Sequence, residues 1–380
     1  MRSTSSYHSG SFALPDERSP LRALASVRWG LLAAALALAA IGLATVHSAS
    51  VELTVDYLPR QAAFLGVGLV ALLLAAMVDY HFLLTFAVPF YALSQLGLVL
   101  VLFVGHQAGG AQGWFRIGSI GIQPSEFAKL ATALMLARYL ARANTRELSL
   151  RQIAEALGIV ALPMGLTVLE PDMGGAAMFV PIAAGMLLVC GIPWRMLAAA
   201  ALVVVLSGAV AWGFAMQPYQ KQRVLTFLDP GRDPSGAGYQ ARQSKIAVGS
   251  GELSGKGYMQ GSQSQLRFLP ARHTDFILAV LAEEWGFLGV ATVLGLYALY
   301  IGNAAAVAMR ARDRAGILLV VGLVSMVAFH VLYNCSMVIG LLPITGIPLP
   351  FLSYGGSFTL IICLATGLIL NVDYRRYVNR

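Results

Sequence analysis

The chain has 380 residues, 58% of them hydrophobic and only 12% charged, where a soluble domain carries about 25% charged residues. With a mean hydropathy of +0.72, this excludes a soluble globular or disordered chain and reads as a polytopic membrane protein. The net charge of +8 comes mainly from arginines at the edges of apolar runs, where basic residues set topology, so it implies no nucleic-acid partner.

Residues 1–26 are polar and rich in Ser, Pro and Arg, and read as a flexible tail. Apolar runs follow at about 27–48, 61–78, 82–104, 125–141, 153–169, 174–191, 196–215, 275–301, 316–341 and 358–371. A helix needs about 20 residues to cross the hydrocarbon core. The expectation is an all-α integral membrane protein of about ten transmembrane helices. The first run, followed by Ser48-Ala49-Ser50, has the look of a secretory signal, but it is longer than the 7–15 apolar residues of one and follows a long polar lead. It is read as a retained span. Cys190, Cys335 and Cys363 lie in or beside apolar runs and form neither metal spacing nor a disulfide framework. The sequence shows no internal repeat.

Charge orients the spans. One side collects fifteen arginines: 2, 18, 22, 28, 138, 142, 146, 151, 195, 310, 312, 314, 375, 376 and 380. The opposite short loops hold Arg60 and Arg116. The positive-inside rule then puts both termini, including a short tail at 373–380, in the cytoplasm. The one long external loop, 217–274, lies between spans seven and eight. It carries eight basic residues against Asp229, Asp233 and Glu252, and suits an anionic lipid headgroup, with contact to ordinary anionic phospholipid as the alternative. Val224-Leu225, Phe227-Leu228 and Ile246-Ala247-Val248 suggest short amphipathic helices within it.

Ionisable groups at membrane depth cost about 2.5–3.5 kcal/mol each and need a partner or a function. In Gln123-Pro124-Ser125-Glu126, Ser125 is the expected N-cap of span four, and Glu126 can pair with Lys129 one turn on, as an anchor or in a functional role. Glu170-Pro171-Asp172 marks an external turn whose carboxylates can cap the next helix. In Arg272-His273-Thr274-Asp275, Thr274 is the expected cap, with Asp275 in the first helical turn, where the dipole favours its ionised form. Residues 342–357 are too rich in Pro and Gly for continuous helix. Such backbone at membrane depth lines a cavity or forms a re-entrant structural loop.

Several strings in one order carry a resemblance. They are Gln123 to Lys129, Glu170-Pro171-Asp172, Asp229-Pro230 through Asp233-Pro234 to Gln240, Gln243 to Ala247, Gly255-Lys256-Gly257, Phe268 to Phe276 and Ser353 to Ser357. Over residues 27–372 the chain resembles the SEDS family (shape, elongation, division and sporulation). Its Gln263 to Phe268 string and Arg-His-Thr-Asp order are similar to elongation rather than division members. Against the family pattern, Gly113 replaces a basic residue before the loop Trp114, for which Arg116 can compensate. Ala271 replaces a glutamate, Glu252 a glycine and Phe358 a serine.

The resemblance implies an inverting peptidoglycan glycosyltransferase working at the outer face of the bacterial inner membrane. Its substrate would be lipid II, a disaccharide-pentapeptide on undecaprenyl pyrophosphate. Its partners would be a class B penicillin-binding protein and other elongation-complex membrane proteins. Asp275 is the candidate general base. Lys129, Lys245, Lys256 and Arg272 are candidates for a phosphate clamp, which a divalent cation (Mg or Mn) can share, and Glu126, Asp172, Trp114, Ser353 and Tyr354 complete the expected substrate site. The competing readings are a lipid-linked-sugar flippase and a non-catalytic scaffold.

Overall fold

The computed structural model describes residues 27–51, 56–108, 111–118, 120–143, 148–192, 195–196, 198, 202, 213, 218–233, 236–266 and 268–378. The expected tail at 1–26 and most of the expected seventh span at 196–215 lie outside these residues. Among the described residues, seven helices are long and apolar enough to cross a membrane: α1 (Trp29–Ser50), α2 (Leu58–Met77), α4 (Ala87–Val104), α6 (Leu150–Leu169), α12 (Ile277–Arg310), α13 (Arg314–Val338) and α14 (Gly356–Val378). A short α3 (Tyr80–Thr85) precedes α4. The expected fourth span is α5 (Pro124–Arg142), a helix more charged than these seven. The sixth is a broken pair, α7 (Met173–Ala177) and α8 (Phe179–Val189).

Local chemistry sets the ends. Ser149 and Gln152 form a reciprocal capping box at the start of α6. Asp313 accepts the Gly316 N–H at 2.6 Å and starts α13. The core is one apolar cluster centred on α14, which packs along α2 and also meets α12 and α13.

The all-α expectation needs correction. Residues 106–122 form a three-stranded antiparallel sheet, β1 (His106–Ala108), β2 (Ala111–Ile117) and β3 (Ile120–Ile122), in the order β1-β2-β3. Trp114 faces His106, and Phe115 faces Ile122. In the segment 218–274, α9 (Pro218–Leu228), a 3-10 turn (Pro230–Arg232), α10 (Ala237–Ser250) and α11 (Ser262–Gln265) lead up to α12.

At 1.5 Å per residue, the 34 residues of α12 extend about 50 Å, well beyond a hydrocarbon core of about 30 Å. The helix breaks at Gly286, with φ 65° and ψ −162°. Only glycine suits that conformation, and a Cβ there would lie 2.3 Å from the Gly255 nitrogen. The loop 252–257 fills the break. Phe287 and Leu288 N–H donate to the carbonyls of Glu252 and Leu253, and Lys256 and Gly257 N–H donate to those of Glu283 and Glu284. The backbone groups freed by the kink are thereby paired.

Candidate active site

Helix α5 begins at Pro124 rather than at a capped Ser125. Proline pre-sets φ for the first helical position, so Gln123 becomes the boundary residue, and the buried Ser125 hydroxyl makes no hydrogen bond. The expected ion pair forms one turn in: Lys129 Nζ donates to Glu126 Oε1 at 2.7 Å, with both side chains buried. Glu126 Oε2 has no hydrogen-bond partner. Lys129 Nζ also stands 6.0 Å from the centre of the Phe358 ring.

Asp275 is placed by a turn rather than by a helix cap. Ala271 adopts φ +50°, and its carbonyl receives the N–H groups of Thr274, Asp275 and Phe276. The Thr274 hydroxyl donates to the same carbonyl at 3.2 Å, so it does not cap α12, which starts only at Ile277. Three further bonds fix the turn. Ser353 Oγ donates to the Thr274 carbonyl at 2.7 Å, Tyr354 N–H to that of His273 at 2.9 Å, and Asn334 Nδ2 to that of Asp275 at 2.9 Å. Gln61 on α2 braces the same segment, donating to the Ser353 carbonyl and accepting from Gly355 N–H. Gly346, at φ +75°, brings its backbone alongside the carboxylate: a Cβ there would lie 3.6 Å from Asp275 Oδ2.

These elements enclose a polar cavity of about 140 Å³. Of the ten residues expected at the site, it gathers six: Asp275, Glu126, Lys129, Asp172, Trp114 and Tyr354. Asp172 does two things, accepting the Gly175 N–H at 2.7 Å as the cap of α7 and the Gln123 side-chain amide at 3.1 Å. The other four residues lie elsewhere. Ser353 is buried behind the turn that it holds. Arg272 is buried and donates Nε to the Ala49 carbonyl at 2.7 Å, tying the turn to α1. Lys256 Nζ pairs with Glu283 at 2.7 Å and also donates to Ser262. Lys245 lies against Gly340, beside Leu342 and Pro343. The four-cation clamp expected from the sequence is therefore reduced to Lys129 within the cavity. Lys245, Lys256 and Arg272 precede Asp275 in the same segment, but each meets a neighbour outside the cavity.

Beside the polar cavity runs an apolar groove of about 650 Å³ between α2, α4, α5 and α14. The two share neighbouring residues. Trp114, Gln123 and Glu126 line the cavity, while Phe115, Ile122 and Phe127 line the groove. The small sheet and the first turn of α5 form the divide.

Gly113 packs against Glu170, so close that a Cβ would lie 2.9 Å from Oε2. A basic residue at 113 would cover this carboxyl. Arg116 does not replace it, because positions 113 and 116 project from opposite faces of β2, and Arg116 is exposed. Neither oxygen of the fully buried Glu170 is hydrogen-bonded. Burial, then the nearby Asp172, pushes its carboxyl up to about 8. His273 is held below its ordinary value by burial and then by Arg272, and its ring stacks on Tyr57 at 4.5 Å and 8°.

Sequence reasoning missed Gln61, Asn334 and His330. Each is a polar residue in or at the edge of an apolar run, His330 and Asn334 one turn apart in the same one, and that expense at membrane depth was the available signal. His330 lines the cavity from α13.

The family of FtsW, RodA and SpoVE, described as cell cycle proteins, matches residues 28–378. The chain is 38% identical over 341 residues to peptidoglycan glycosyltransferase MrdB of Escherichia coli strain K12, covering 90% of this chain and 92% of that one. To peptidoglycan glycosyltransferase RodA of Treponema pallidum it is 32% identical over 432 residues, covering 94% and 99%. Among solved structures it is similar to a chain of a peptidoglycan synthase complex concerned with coordination of polymerization and crosslinking, with TM-score 0.80, 33% identity and coverage of 93% and 99%. It is also similar to the rod shape determining protein RodA of Thermus thermophilus, with TM-score 0.70, 30% identity and coverage of 93% and 98%.

Proposed function

The chain belongs to the FtsW, RodA and SpoVE family and is a peptidoglycan glycosyltransferase, a multi-pass membrane protein of the bacterial cell envelope; we propose that it polymerises lipid II at the outer face of the inner membrane during elongation. In this reading both termini are cytoplasmic, residues 27–372 form the membrane domain and residues 217–274 lie outside. The observation that carries the proposal is the single cavity holding Asp275, Glu126, Lys129 and Asp172 next to an apolar groove. A polar headgroup and an apolar tail then have adjoining places.

The reaction needs a base for the acceptor hydroxyl and a cation for the departing anion. Asp275 takes the proton from the 4-hydroxyl of the acceptor GlcNAc as that oxygen bonds to C1 of the donor MurNAc. The C1–O bond to undecaprenyl pyrophosphate breaks, and the electron pair leaves on the pyrophosphate. Lys129 provides the charge for that group, held in place by Glu126. Tyr354 and Trp114 contact the sugar, Asp172 with Gln123 completes the lining, and the prenyl tail lies in the groove between α2 and α4. For a divalent cation the residues give no preformed cage: among the described residues no three His, Cys, Asp or Glu side chains converge. The partner in this reading is a class B penicillin-binding protein, which crosslinks the strands made.

The test is polymerisation by the purified protein with its partner, on lipid II supplied in detergent so that no transport is needed. Glycan strands are expected. Their absence, with translocation in sealed vesicles, would favour the flippase. Absence of both would favour the scaffold.

A further inference from the structure

The cavity contains one buried group that this mechanism leaves unused. His330 is 1% exposed, and its Nδ1 lies 2.9 Å from the Met326 carbonyl oxygen one turn earlier on α13. A carbonyl only accepts, so this bond assigns the ring proton to Nδ1 and leaves Nε2 of the neutral ring as a lone-pair acceptor. Nε2 makes no hydrogen bond. The residue nevertheless lines the cavity with Asp275, Glu126 and Lys129. Its ring packs against Phe358, with centres 5.1 Å apart and planes tilted by 31°. The Met326 bond and the Phe358 contact together fix the plane of the imidazole and hence the direction of Nε2. Buried acceptors almost always meet a donor, so a fixed one without a partner in a substrate cavity points to a donor brought by the substrate.

We propose that His330 is a sugar-reading residue: its Nε2 accepts a hydrogen bond from a hydroxyl or the N-acetyl N–H of the lipid-linked saccharide. The proposal rests on the glycosyltransferase reading above. Complementarity selects the sugar over the pyrophosphate. Ionised phosphate oxygens only accept and would face a lone pair, whereas sugar hydroxyls and amides donate. Lys129 has donors and no acceptor, so it serves the anion. Lys129 and His330, both beside Phe358, then take different parts of the substrate, the ammonium the leaving group and the imidazole the saccharide. A substrate donor left facing an apolar side chain in a buried site loses about 5- to 150-fold in kcat/KM.

The experiment uses the full-length protein with its partner and two variants. His330→Leu should lower kcat/KM on lipid II by that factor, mainly by raising KM. His330→Gln, which can again present an acceptor, should recover most of the loss. Because leucine can alter folding, binding is measured separately in the Asp275→Asn background, where turnover is slowed about 10²–10⁴-fold, with the thermal midpoint recorded for each variant. Adding His330→Leu should weaken binding of lipid II and leave binding of undecaprenyl pyrophosphate unchanged. Equal affinity for lipid II with and without His330→Leu would overturn the proposal. Equal weakening toward both ligands would also overturn it, since the contact would not be to sugar. Near-wild-type turnover by Asp275→Asn itself would be a failure of the underlying reading instead, so the two failures are distinguishable.

Discussion

Glu170→Gln isolates one carboxyl whose environment is fully specified. The residue is 0% exposed, neither oxygen is hydrogen-bonded, and burial with the nearby Asp172 lifts it from its ordinary 4.5 to about 8. At neutral pH the folded protein therefore holds this proton, while the unfolded chain has released it. The sign follows: the group's contribution to stability is complete below about 4.5, falls as pH rises, and is lost above about 8. At 1.36 kcal/mol per pH unit the full span is about 5 kcal/mol as an upper bound. Glutamine is near in shape and uncharged at every pH, so it removes this dependence. The assay is thermal unfolding of purified wild type and Glu170→Gln at intervals from pH 5 to pH 9. The wild-type midpoint should fall more steeply with pH, so that the variant is the more stable at pH 9. Parallel curves would refute the reasoning and mean that the carboxyl ionises freely in the fold.

Two further outcomes follow from the loop that fills the α12 break. Glu252 adopts φ +46°, a conformation that costs a non-glycine residue about 1–2 kcal/mol. Glu252→Gly should raise stability by up to about 1 kcal/mol after the glycine's greater unfolded freedom is subtracted, and a lower unfolding midpoint would contradict this. Glu283 receives Lys256 Nζ, the Ser262 hydroxyl and the N–H groups of Gln263 and Ser264. Glu283→Gln gives up the charge on these bonds, each worth about 1.5–3 kcal/mol when charge-assisted. Amide exchange at 263–264 should accelerate at least tenfold, and unchanged protection would show that the loop is held by other contacts.

The helices were legible because apolar runs of span length have few alternatives in a membrane. The sheet at 106–122 was not. Its strands are three to seven residues long, and Gly113, Gly118 and Gly121 obscure the alternation of Trp114 and Arg116 with Phe115 and Ile117. At the site, the Glu126–Lys129 pair was readable because helical spacing fixes which residues meet. That Lys245, Lys256 and Arg272 do not line the cavity was not legible, because sequence gives proximity along a loop and not direction. Lys256 turns to Glu283 only because the α12 break at Gly286 admits the loop. Thr274 fails as a cap because the left-handed Ala271 tightens the turn and delays the helix to Ile277. His330 and Asn334 belong to no motif read from the sequence, yet one lines the cavity and the other holds the Asp275 turn.

The central claim is that Asp275 is the general base, and glycan formation by purified Asp275→Asn with its partner tests it most directly. Asparagine keeps the size of the side chain. The bonds from its own N–H to Ala271 and from Asn334 to its carbonyl are made by the backbone of residue 275 and are kept in the variant. The fold and the unfolding midpoint should therefore be close to wild type. A general base contributes about 10²–10⁴-fold in rate, and its loss should lower strand synthesis by that factor while lipid II still binds. Near-normal strands from a folded Asp275→Asn protein would contradict the account and transfer the base to Asp172 or Glu126 in the same cavity.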